Sequence, residues 1–154
     1  NERSILRNLN MGFIFQQFHL IDSLTIGQNV ELPLLYKGGV AKKNREKLVN
    51  KYLDLVGLRS KKDRMPSELS GGQQQRIAIA RAMINNPSVI FADEPTGALD
   101  SETGIQIMSI LKKLNEEKKT IIMVTHDRDL AKYANKVIVI KDGVVSEVIE
   151  NVAN

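Results

Sequence analysis

The chain has 154 residues, 42% of them hydrophobic and 26% charged, which is the balance of one globular domain and not of a disordered segment. It contains no Cys, which excludes disulfides, thiolate-held zinc, iron–sulfur clusters and a thiol nucleophile. The two His, His19 and His126, argue against a multi-His metal site, and no apolar run approaches the length of a membrane span.

The net charge of +4 is unevenly spread: residues 37–64 carry ten Lys or Arg against three Asp or Glu. Arg45, Glu46 and Lys47 fall between apolar positions of a helical pattern, so the basic stretch reads as a solvated helix face. Its lack of interleaved aromatics gives no support to a nucleic-acid partner. The first ten residues, NERSILRNLN, lack an initiator Met and are not a signal peptide.

Met11–Phe15 reads as a short buried strand. Thr25–Tyr36 reads as a helix capped by Thr25 and interrupted near Pro33. Ala41–Val56 is an amphipathic helix with Leu48, Val49, Tyr52, Leu53 and Val56 on one face, and Gly57 closes it. The next helix spans Gly72 to Ile84 and stops before Pro87. An apolar strand, Ser88–Asp93, leads to a helix, Ser101–Glu117, whose inward residues are Ile107, Met108, Ile110, Leu111 and Leu114. A second apolar strand at Thr120–Thr125, a short helix at Asp127–Ala134 and a third strand at Val137–Lys141 follow. Asp142-Gly143 then turns the chain into a last strand, Val144–Ile149. Strands apolar on both faces and alternating with helices predict an α/β fold with a parallel sheet.

In such a sheet, ligands bind beyond the carboxyl ends of the strands. Here one strand ends in Asp93-Glu94 and the next in Thr125-His126. An aliphatic strand ending in Asp is a means of placing a carboxylate near Mg²⁺, and an adjacent Glu can take a proton from an attacking water. Upstream, Ser70-Gly71-Gly72 opens a helix, so that a phosphate can approach backbone N–H groups at the positive end of the helix dipole. Taken singly, each of these has an ordinary explanation: solvated acids at a strand end, or a plain helix cap.

Together they are specific. LSGGQQQRIAIARA, then VIFADEPTGALD, then VTHD, in that order, resembles the nucleotide-binding domain of ABC transporters. LSGGQ matches that family's signature motif, VIFADE its Walker B strand with the catalytic Glu, GALD its D-loop and His126 its switch His. GFIFQQFHL resembles the Q-loop, with Gln16 in the loop's Gln position. The stretches FQQFHLIDSLTIGQNVELPLLY and DEPTGALDSETG resemble the lipoprotein-releasing, macrolide-export and cell-division branch.

The resemblance implies a P-loop NTPase-like parallel sheet with a helical subdomain and a C-terminal β-hairpin. The Q-loop strand and loop would occupy residues 1–24, the helical subdomain with the signature motif residues 25–86, and the α/β core with Walker B, D-loop and switch His residues 87–154. It also implies ATP and Mg²⁺ as ligands. Glu94 and His126 would be catalytic, with Glu94 polarising the water. Gln16, Ser70, Gly71, Gly72 and Asp100 would serve nucleotide binding, and Asp93 with Gln16 would hold Mg²⁺ partly through water. The implied partners are a second nucleotide-binding domain, joined head to tail in a homodimer, and transmembrane permease subunits whose coupling helix enters the groove beside Gln16. The implied location is the cytoplasmic face of the cell membrane, and the implied work is export or extraction of a substrate.

One expected part is missing. None of the ten glycines begins or completes the family's Walker A loop, G-x-x-x-x-G-K-[ST], so the sheet is expected to be incomplete and the chain to be an N-terminally truncated piece unable to hydrolyse ATP alone. Two other readings use the same residues: a non-catalytic piece that binds a partner, and an ABC-type ATPase acting on nucleic acid or ribosomes. Gln17, Gln74 and Gln75 are expected to be solvated, and His19 to lie on the surface.

Overall fold

The structure is a computed structural model and describes residues 11–151. Residues 1–10, which open the first expected segment, and 152–154 at the end of the last lie outside the described residues. The chain divides into two compact units between Val124 and Thr125.

The first unit holds a three-stranded parallel sheet in the order β1 (Met11–Phe15), β2 (Val89–Asp93) and β3 (Thr120–Val124). Its helices are α1 (Ile26–Lys37), α2 (Lys42–Leu55), α3 (Gly71–Met83) and α4 (Ser101–Glu116). Each strand agrees with its apolar run to within a residue or so. Helix α3 packs on α1, α2, α4 and β1, which puts it at the centre of the unit. Buried Ile77, Ala78, Ile79, Ala80 and Met83 line α3, and Ile107, Met108, Leu111 and Leu114 form the inward face of α4. Ile110, also expected inward, is half-buried, as is Leu48 on α2.

The sheet has two unlike faces. Gly12, Ile14, Ile90 and Ala92 are buried, and a Cβ at Gly12 would stand 2.7 Å from the Ala82 carbonyl oxygen, so α3 lies on that side. The alternate residues point the other way. There Met11, Phe13, Ile122 and Val124 remain exposed, and Phe13 stacks on Phe91 with centroids 5.4 Å apart. Both faces are apolar in sequence, but within the described residues of this unit only one is covered.

Helix α1 corrects an expectation. Thr25 caps it through a reciprocal pair with Gln28, as its hydroxyl predicts, but the helix runs through Pro33 without interruption. A proline inside a helix costs about 3 kcal/mol. Ile26, Val30 and Leu34 are buried before and after it, and each such side chain contributes roughly 1.5–3 kcal/mol. Burial therefore outweighs the break.

The same helix carries Asn29, fully buried and fully bonded. Its Oδ1 accepts from the Ile21 N–H at 2.8 Å, and its Nδ2 donates to the carbonyls of Ile21, Leu24 and Thr25 at 3.0–3.1 Å. It thereby fixes the loop that leads from β1 into α1. Asn29→Leu should cost about 2–4 kcal/mol, because it leaves several loop groups without partners. Urea denaturation of the two proteins checks this; equal midpoints would show that the loop repairs itself.

The second unit begins at Thr125, and the short helix expected at Asp127–Ala134 is a six-residue 3₁₀ helix, Arg128–Tyr133, capped by Asp127. An antiparallel hairpin of β4 (Lys136–Lys141) and β5 (Val144–Glu150) follows, closed by Asp142 and Gly143 at φ 51° and 78°. Positive φ at both central residues is what a two-residue hairpin turn of type I′ requires.

Candidate functional site

The register aligns Phe15, Asp93 and Val124, so β1, β2 and β3 of the first unit end level with one another. Gln16 follows the first, and Asp93-Glu94 ends the second. Asp93 is exposed. Glu94 is half-buried and has φ 45°, in the left-handed region that a non-glycine residue seldom enters. Two backbone bonds over-determine it. The Glu94 N–H donates to the Val124 carbonyl at 2.9 Å, which carries the β2–β3 ladder one residue further, and the Glu94 carbonyl accepts from the Gly97 N–H at 3.1 Å. Strain of this kind, about 1–3 kcal/mol, collects where a side chain must be aimed.

Gly97 brings Gln16 to Glu94. A Cβ at position 97 would lie 2.8 Å from Gln16 Nε2 and 3.4 Å from Glu94 Cβ. The bare glycine therefore leaves the space in which the Gln16 amide rests beside the Glu94 turn. Sequence reading took Gly97 only as the first residue of the D-loop match GALD, because nothing in the sequence shows its approach to Gln16.

Ser70 caps α3: its hydroxyl accepts from the Gln73 N–H at 3.3 Å, and the Gln73 side chain accepts from the Ser70 N–H at 3.1 Å. The two glycines after it differ. A Cβ at Gly72 would stand 2.2 Å from Thr103 Cγ2, so the packing of α3 on α4 is enough to require glycine there. The nearest atoms that a Cβ at Gly71 would meet belong to Leu99 and Phe18, both at an ordinary 3.5 Å. The fold therefore has room for a Cβ at position 71, which is half-buried.

Asp100 caps α4. It accepts from Thr103 Oγ1 at 2.6 Å and from the Thr103 N–H at 2.9 Å, and these bonds hold its carboxyl below the usual range. The cap's contribution is therefore present above the unfolded-state pKa and is lost as pH falls through the lower folded value.

His126 belongs to the second unit and is exposed between Thr125 and Asp127, whose N–H donates to Thr125 Oγ1 at 3.0 Å. In sequence it stands two residues beyond the end of β3. His19 is exposed, as expected, with its ring edge-on to Phe15 at 5.0 Å.

Gln75 corrects a second expectation, since it is buried, not solvated. Its Nε2 donates to the Pro95 carbonyl at 2.6 Å and to the Phe15 carbonyl at 3.3 Å. Helical phase could have revealed this, because Gly72, Gln75, Ile79 and Met83 fall on one stripe and all are buried. Arg81, further along α3, donates to the carbonyls of His19 at 2.5 Å and Phe18 at 2.8 Å, and burial pulls its pKa below the ordinary arginine value. Phe18 and His19 both have positive φ. Among the described residues no three His, Cys, Asp or Glu side chains gather as a metal-binding group, and no helix is long and apolar enough to cross a membrane.

Against this geometry stand the known proteins. The sequence profile of the family described as ABC transporter matches residues 2–97. The uncharacterized ABC transporter ATP-binding protein MJ1508 of Methanocaldococcus jannaschii is 56% identical over 149 residues, covering 97% of this chain and 66% of its own length. The macrolide export ATP-binding/permease protein MacB of Chlorobium phaeobacteroides is 51% identical over 145 residues, 94% of this chain and 22% of its own. In structure, the ATP-binding cassette MJ0796 of M. jannaschii, solved as a dimer in a post-hydrolysis state bound to ADP and Pi, superposes with a TM-score of 0.84 at 47% identity over 97% of this chain and 66% of that one. The chain thus spans just under two thirds of the length of the single-cassette relatives it matches, and about a fifth of the fused ATP-binding/permease protein.

Proposed function

This chain belongs to the ABC transporter family, and from that premise we propose that the protein carrying it binds and hydrolyses ATP to drive export or extraction of a substrate through a membrane permease. The observation that supports this reading best is the gathering of Gln16 and Glu94 on either side of Gly97 at the carboxyl edge of the sheet, with Asp93 beside Glu94 on the same strand.

In this reading Glu94 accepts the proton of the attacking water, and its left-handed backbone turns it toward the ligand edge. Gln16 meets the γ-phosphate, and His126 keeps the switch-His role that its VTHD motif implies. Ser70 and Gly71 present the α3 N-terminus to the nucleotide of a second copy bound head to tail, and Asp100 links the two sites. Gly72 contributes by letting α3 and α4 pack. The donors at the edge suit Mg²⁺, which is held by one or two carboxylates together with nucleotide phosphates and water, not by a cage of side chains. Asp93 and Gln16 would hold it, and it would supply neutralising charge at the phosphates. None of the ten glycines begins or completes the G-x-x-x-x-G-K-[ST] pattern, so residues 1–154 by themselves are not expected to turn over ATP. The name of the macrolide exporter, an ATP-binding/permease protein, supports a place beside permease subunits, and in this reading the chain works at the cytoplasmic face of the membrane. The coarse ligand assignment draws support from the neighbour bound to ADP and Pi.

Gly71→Asp tests the assignment in trans. The structure has space for the new Cβ, so the fold should survive. The carboxylate would oppose an arriving phosphate at the helix N-terminus. In the full-length protein, ATP should still bind one subunit with affinity near that of the wild type, while ATP-driven dimerisation fails. Light scattering without Mg²⁺, which blocks hydrolysis, measures this; a normal dimer would remove Gly71 from the role.

A further inference from the structure

The buried amide of Gln75 reaches two main-chain carbonyls far apart in sequence. One belongs to Phe15, the residue before Gln16; the other belongs to Pro95, the residue after Glu94. Gln75 sits one turn into α3, five residues after the Ser70 cap, and is fully buried. Its Oε1 is also buried and meets no hydrogen-bond donor among the described residues. Packing alone would favour an apolar residue of the same volume here, since a buried polar group without a full set of partners is costly. What the glutamine adds is the pair of N–H donors.

These donors are placed where geometry matters. Glu94 keeps a left-handed backbone, a conformation that persists only when its surroundings over-determine it. The Pro95 carbonyl immediately follows that strained residue, and Pro95 has no N–H with which to join a backbone ladder. The Phe15 carbonyl is the last of β1 before the chain turns through Gln16. Further along the helix, Arg81 grips the carbonyls of Phe18 and His19 beyond the same turn. Helix α3 therefore holds the Gln16 loop at two points and the Glu94 turn at one.

Building on the proposed ATPase reading, we propose that Gln75 is a positioning residue. It ties the N-terminal turn of α3, where Ser70 and Gly71 meet the partner's nucleotide, to the loops that carry Gln16 and Glu94. Contact at the helix N-terminus is thereby transmitted to the water-activating carboxylate, and Glu94 is aimed only while α3 is seated. Gln75 touches neither nucleotide nor water; it acts through the backbone of its neighbours.

The test uses the full-length protein carrying this chain, with Gln75→Leu and Gln75→Met, which keep the buried volume and remove the donors. Turnover should fall about tenfold or more, while KM for ATP and the ATP-driven dimer measured in a Glu94→Gln background change by less than about twofold. A folded variant that turns over within twofold of wild type would overturn the proposal. So would loss of folding in both variants, since the residue would then serve the fold and not the site. A parallel rise in KM and loss of dimerisation would also overturn it, by placing Gln75 in binding instead of aiming. The wild-type protein separates the two levels: if it does not hydrolyse ATP, the ATPase reading fails, whereas an active wild type matched by an equally active Gln75→Leu sinks only the positioning role.

Discussion

Glu94→Gln in the full-length protein is expected to bind ATP nearly as well as wild type and to lower turnover by about two orders of magnitude or more. The substitution keeps the side chain's length and its planar end but replaces a proton acceptor by an amide. Nothing in the backbone need change. Glutamine has the same unbranched stem as glutamate and meets the same steric cost in the left-handed region, so φ 45° and the main-chain bonds from Glu94 N–H to Val124 and from Gly97 N–H to the Glu94 carbonyl persist. A subunit that binds ATP and cannot consume it should accumulate as the nucleotide-bound dimer, so the same variant separates closure from chemistry. Single-turnover hydrolysis with excess enzyme is the measurement that isolates the step. A rate within a few fold of wild type would take the general-base role from Glu94 and leave its strained backbone without a catalytic reason.

The strained backbone is also where sequence reading stops. Asp93-Glu94 at the end of an aliphatic run is visible in the residues, and so is its place at a ligand-binding edge. That Glu94 turns into the left-handed region is not, since no residue type there demands it; the turn is imposed by β3 and by Gly97. Helix limits were legible where a cap names itself, as Thr25 and Ser70 do. Pro33 misled because a local cost was read without the burial of Val30 and Leu34 that offsets it. Gln75 misled for the opposite reason: residue type was allowed to override helical phase, which had placed it among buried neighbours. Motif order identified the edge residues, whereas the contacts that hold them, from Gln75, Arg81 and Gly97, are tertiary and leave no motif of their own.

Residues 1–154 produced alone are expected to self-associate and to bind an apolar dye. The cause is the sheet face opposite α3. Met11, Phe13, Ile122 and Val124 on it are 39%, 38%, 44% and 60% exposed, and β3 has no strand on its outer edge among the described residues. Covering a large apolar side chain contributes roughly 1.5–3 kcal/mol, so leaving several uncovered forgoes an amount comparable with the 5–15 kcal/mol that keeps an ordinary domain folded. An unpaired apolar edge is also a template for the edge of another molecule. Hydrophobic burial and strand pairing thus favour association over a dispersed monomer. Size-exclusion chromatography over a range of concentrations, with dye fluorescence read on each fraction, checks this. Ile122→Lys combined with Val124→Glu should raise the monomer fraction and lower dye binding, because charge on the open face and edge opposes pairing without disturbing the buried face of Ile14, Ile90 and Ala92. A wild-type fragment that stays monomeric, binds no dye and unfolds cooperatively would mean that the face is covered in solution.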